Sequence, residues 1–135
     1  MRSTITSPMQ IPELSDNEIA ELCRMRLQLI KLMREGVSFW NGHALDYSDK
    51  YRDYSEIYDK DTKQRYYHHS DICALALQEL EALPEEFNKY ETLHYIETLK
   101  RSTACPVGLS YSENSELLEK IALRVGQIEN RFDRL

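Results

Sequence analysis

Residues 43–83 read HALDYSDKYRDYSEIYDKDTKQRYYHHSDICALALQELEAL, an interval with neither glycine nor proline. A β fold would need several turns over that length, and turns draw on those two residues. Helical spacing fills the interval instead. Tyr47, Tyr51, Tyr54 and Tyr58 recur at gaps of 4, 3 and 4, and the same register runs on through Asp61, Arg65 and His68 to Ile72 and Leu75. The spacing predicts helix over 47–83, about 55 Å long at 1.5 Å per residue if it is continuous. The register turns polar at Asp59–Thr62, so a break near residue 60 is the competing reading. A continuous helix would project its tyrosine end, whereas a broken one would fold the rings back into the core.

The flanking sequence is helical as well. Ser15-Asp16-Asn17-Glu18 has the form of a capping box, and Leu14 and Ile19 stand where a hydrophobic staple would close. Ile19, Leu22, Cys23, Leu29, Ile30, Met33 and Val37 keep the period, which predicts a first helix over 16–35 with Gly36 as its left-handed cap. Val37–Leu45, with Phe39, Trp40 and His43, then reads as a connection carrying aromatic plugs. Pro84 suits the first position of another helix, followed by Glu85 and Glu86 at its positive end and by an apolar face of Phe87, Tyr90, Leu93, Ile96 and Leu99. That helix is expected to end near Arg101, and Ser112 is the expected N-cap of the last one. Leu118, Ile121, Val125, Ile128, Phe132 and Leu135 alternate gaps of 3 and 4, which makes them a bundle face or a candidate oligomer seam. The expected fold is an all-α bundle of four to five helices, one of them long or broken near residue 60. Residues 1–13 form a flexible leader in this reading, and 14–135 one domain.

Composition narrows the classes of function. The 135 residues include 41% hydrophobic and 30% charged side chains with a net charge of −6, so a core can be buried without disulfide or metal staples. Residues 46–61 hold six acids against three bases, and Glu79–Glu97 six acids against Lys89 alone. Such a surface disfavours direct nucleic-acid binding and attachment to an anionic membrane, both of which need clustered cations. Cys23, Cys73 and Cys105 are odd in number and widely spaced, unlike a disulfide framework or paired zinc knuckles, and fit a reducing cytoplasm.

The tyrosine register, with Asp49, Asp53 and Glu56 beside it, is the candidate partner-binding site. Tyrosine joins a large apolar ring to a polar tip and is frequent among energetic hot spots. The expected partner is a larger protein with a basic or mixed surface. If that partner handles nucleic acid, the spaced carboxylates would stand in for phosphates, and the protein would act as an inhibitor or regulator, as small accessory proteins of phages and plasmids do. Arg65 and His69 form the alternative site, that of a helical ribonuclease or toxin-like enzyme. Their separation is shorter than the Arg-to-His spacing of the HEPN ribonucleases, so membership of that family is not inferred. A structural homodimer is the third reading. His69 and Cys73, with His68, Asp71 and His94, lack the close pairs of a convincing metal site, and no metal or cofactor is expected. No phosphate loop, nucleophile elbow or dinucleotide fingerprint is present. Arg26 falls on the apolar side of the first helix, where a carboxylate from a later helix is its expected partner.

Overall fold

The computed structural model describes residues 14–54, 58–107 and 113–133. Its elements are α1 (Asp16–Tyr51), α2 (Lys60–Glu81), α3 (Thr92–Ser102) and α4 (Glu113–Asp133). These four helices make an all-α bundle. The capping box closes as its residues require: the Ser15 hydroxyl accepts from Glu18 N at 3.1 Å, and Ser15 N donates to Glu18 Oε1 at 2.8 Å. At 36 residues, α1 is about 54 Å long.

The first helix therefore does not stop at Gly36, and Val37–Leu45 is helix rather than connection. A helix-ending glycine and a helix-crossing glycine look alike in sequence. Here Gly36 is buried against α2 and the segment after α3, and a Cβ on it would lie 2.8 Å from Cys73 Sγ and 3.2 Å from Val107 Cα. The missing methyl permits the crossing.

The break near residue 60 is the alternative realised. The helix α1 ends at Tyr51, and Asp59 starts α2 by accepting from Asp61 N at 3.1 Å and from the Thr62 hydroxyl at 2.8 Å, as an N-cap carboxylate does. Pro84 does not begin a helix. The Asn88 carboxamide oxygen captures the N–H groups of Tyr90 and Glu91 at 2.9 and 3.0 Å, and Glu91 Oε1 accepts from Asn88 N at 3.1 Å. This side-chain competition for backbone donors delays α3 to Thr92. The buried face of α3 shifts accordingly to Thr92, Tyr95, Ile96, Thr98, Leu99 and Ser102, while Tyr90 and Leu93 are exposed. The expected Ser112 cap lies outside the described residues.

The core combines Leu22, Met25, Leu29, Leu32 and Met33 of α1 with Cys73, Ala76 and Leu80 of α2, Tyr95, Ile96 and Leu99 of α3, and Ile121, Val125 and Ile128 of α4. The heptad of α4 thus lies inside its own chain, with Leu118 packed against the core; the Phe132 side chain and Leu135 are outside the described residues. Ion pairs run around the bundle: Arg34–Glu81 joins α1 to α2, Arg101–Glu79 α3 to α2, Lys100–Glu129 α3 to α4, and Arg124–Glu21 α4 to α1. Each is exposed enough to contribute little energy, but together they trace the order of neighbours. Among the described residues Arg26 finds no carboxylate. Its Nε donates to the Leu80 carbonyl at 2.8 Å, where the last turn of α2 offers carbonyls and the negative end of its dipole. None of the described helices is long and apolar enough to cross a membrane.

Candidate protein-binding site

The fully buried core takes nothing from α1 between Gly36 and Ala44 and nothing from α2 before Ser70. Past Trp40, α1 continues for another 11 residues, about 16 Å, alongside the first half of α2. The two form an antiparallel arm, and its residue pairs have nearly constant sums: Trp40 stacks on Tyr66 at 5.8 Å and Tyr47 on Tyr58 at 5.7 Å.

At the root of the arm the Trp40 indole N–H and the Cys73 thiol both donate to the Pro106 carbonyl, the thiol at 3.1 Å. Phe39 meets Trp40 edge-on at 4.9 Å, and His69 lies on the indole at 4.7 Å. The rings continue outward from there. His43 and Tyr47 abut Tyr66 at 5.6 and 6.1 Å, and Tyr51 abuts Tyr47 at 5.1 Å. Edge-on and offset ring pairs of this kind add about 0.5–1.5 kcal/mol each beyond area burial, so they stiffen an arm that has little aliphatic filling.

The tyrosines do not form one helical stripe. Arg52 N closes the last turn of α1 onto Ser48 O at 2.9 Å, and the chain then bends, with Tyr54 N donating to Tyr51 O and Tyr58 N to Tyr54 O at 2.9 and 2.8 Å. The bend carries Tyr58 back over Tyr47, whose hydroxyl accepts from Asp59 N at 2.9 Å. Tyr47, Tyr51 and Tyr58 are consequently half-buried in a cluster, while Tyr54 stands out at 60% exposure.

Asp46, Asp49, Asp53, Asp59 and Asp61 are exposed around this tip; Glu56 lies outside the described residues. The Thr62 hydroxyl and the Asp61 N–H, with Arg65 nearby, hold the Asp59 carboxyl below its ordinary range. Two local cations are already engaged: Lys50 lies 5.2 Å from the Tyr51 ring centre, and Lys63 donates to Ser48 Oγ at 3.3 Å. Arg52, Lys60 and Arg65 are exposed here as well, so the tip carries both signs of charge, with carboxylates the more numerous.

Arg65 is exposed, whereas His69, one turn on, is half-buried against Trp40 with Nδ1 buried and unpartnered. No group of three His, Cys, Asp or Glu side chains among the described residues is arranged to hold a metal. Burial pushes the Cys73 thiol up to about 11 and raises that of Cys105 as well, which keeps both protonated and poorly nucleophilic. Helical periodicity could not find Tyr66, His43 and Trp40 as partners of the tyrosines, because the contacts cross between two helices. The acidic stretch after Glu79 lies away from the tip, and its Glu79 and Glu81 are engaged by Arg101 and Arg34.

No family model matches the chain, and no curated protein or solved structure shows significant similarity to it.

Proposed function

We propose that this protein is a small acidic helical module that binds a larger protein through the tip of the α1–α2 arm. Tyr54 and the open edges of Tyr47, Tyr51 and Tyr58 supply the contact, and Asp46, Asp49 and Asp53 select a basic or mixed surface. The observation that carries this reading is the placement of a stiff aromatic cluster, ringed by exposed carboxylates, at the end of an arm beyond the main core. Rigid aromatic residues lose little conformational freedom on docking, and charges around them favour one sign of partner. Where the partner handles nucleic acid, the carboxylates occupy the cation-lined path of the phosphates, and the module acts as an inhibitor or regulator.

The test compares the wild type with Tyr54→Ala/Asp49→Lys/Asp53→Lys, three exposed positions whose change leaves the helical signal intact. Partners captured from the source cells are purified, and their affinities for both proteins are measured by calorimetry. The variant is expected to bind at least about tenfold more weakly, the equivalent of about 1.4 kcal/mol. Equal affinity of a folded variant would reject the tip as the interface.

A further inference from the structure

At the other end of α1, about 48 Å from Tyr51 at 1.5 Å per residue, an open pocket of about 260 Å³ lies between the first turns of α1 and the segment leading into α3. Leu14, Ile19 and Phe87 give it an apolar floor, and Asn88, Lys89 and Thr92 its polar edge. The volume is below the roughly 300–1,000 Å³ of small-molecule sites, and suits instead one side chain brought by another protein. Two of the three polar-edge residues are engaged: Asn88 holds the turn, and the Thr92 hydroxyl donates to Asn88 O at 3.1 Å. The pocket therefore offers apolar contact beside a partly polar edge. Beside it Tyr90 and Leu93 are 70% and 40% exposed, extending the apolar surface outward.

The charge around the pocket has one dominant sign. Asp16 lies between the lining residues Leu14 and Ile19, Glu85 and Glu86 directly precede Phe87, and Glu91 adjoins Thr92; all four are exposed. Lys89, a cation among the lining residues, lies 5.5 Å from the Tyr90 ring centre, and Arg131 pairs with Glu18 at 2.5 Å in the first turn of α1. We propose that this pocket is a second docking site, independent of the arm tip, for a basic amphipathic protein segment that inserts an aliphatic or aromatic side chain and sets Lys or Arg against Glu85, Glu86 and Asp16. An apolar anchor inside a charged rim is the usual division between affinity and partner selection.

The test uses the full chain, labelled with ¹⁵N, and the synthetic peptide acetyl-Lys-Arg-Leu-Leu-Lys-Arg-amide. Saturable shifts are expected at the amides of Ile19, Phe87, Asn88 and Thr92, at lower peptide concentration than any shift at the arm tip. Affinity should fall roughly fivefold in Glu85→Lys/Glu86→Lys, whose exposed positions keep the fold, and fall with added salt. Equal binding of acetyl-Glu-Asp-Leu-Leu-Glu-Asp-amide would overturn the proposal, as would shifts centred on Tyr51 and Tyr54 or no saturable shift at all. Two further results would assign the pocket another occupant and also overturn it. Tighter peptide binding by Met9→Ser/Ile11→Ser would point to this chain's own N-terminal residues, and dimerisation abolished by Glu85→Lys/Glu86→Lys would point to a second copy.

Discussion

Replacing glycine by alanine at two positions of α1 should change stability in opposite directions. In a helix interior the substitution gains about 1 kcal/mol by restricting the unfolded chain and removing an unfavourable helix residue. At Gly42 nothing lies within 4 Å of the added carbon, so most of that gain, about 0.5–1 kcal/mol, should be realised. At Gly36 the same carbon lies 2.8 Å from Cys73 Sγ and 3.2 Å from the backbone of Val107. The sulfur is fully buried and donates to the Pro106 carbonyl at 3.1 Å, so it has little room to retreat. Overpacking of this kind costs about 1–3 kcal/mol. The propensity gain cancels in the comparison, leaving Gly36→Ala about 1–3 kcal/mol less stable than Gly42→Ala. Urea unfolding followed by circular dichroism measures the gap, which should also appear as several degrees in Tm. Adding Cys73→Ala removes the sulfur but not the Val107 contact, so a double-mutant cycle should give partial relief. If Gly36→Ala proves as stable as Gly42→Ala, the close approach of α1, α2 and the segment after α3 is wrong.

Other expectations concern single contacts. Arg26→Met removes the guanidinium bond to the Leu80 carbonyl, a loss of about 1–2 kcal/mol readable as a lower urea midpoint at unchanged slope. Asp59→Ala deletes the cap of α2 and should speed hydrogen exchange at Asp61 and Lys63 while leaving α4 protected. Cys73 keeps its proton up to about pH 11 when folded but only to about 8.5 when unfolded. Its contribution is therefore fully present below about pH 8.5 and lost as pH rises through that interval; the urea midpoint should fall there, less steeply in Cys73→Ala. On the acid side, Arg131 and Ser15 hold the Glu18 carboxyl below its ordinary range, so the stability it adds is present above about pH 4.3 and is lost as pH falls.

Local chemistry made much of the fold legible. The capping box from Ser15 to Glu18 is complete within four residues, and the absence of glycine and proline over 43–83 left helix as the only economical reading. The rest depends on neighbours distant in the chain. Gly36 resembles a helix end until Cys73 and Val107 are placed against it. Pro84 resembles a helix start because the capture of two amides by Asn88 carries no periodic signal. The tyrosine spacing is equally consistent with a straight helix and with a bend, and only the contact of Tyr58 with Tyr47 distinguishes them. The same limit applies to the second pocket: Leu14 and Ile19 were readable as a staple, but Phe87 arrives from a distant segment and leaves a hollow beside them.

The contacts of Trp40 give the molecule an internal reporter. It is the chain's one tryptophan, and it sits where the arm, α2 and the segment bearing Pro106 meet. Tyr66 is stacked on it and is linked through Tyr47 to Tyr51 and Tyr58, so light absorbed by these phenols drains to the indole while the arm is closed. A rise in tyrosine emission over the background of tyrosines outside the arm, such as Tyr90 and Tyr95, would then mark the fraying of the arm, and a red shift of the indole the parting of arm from body. One unlabelled sample could thus separate the two events in time.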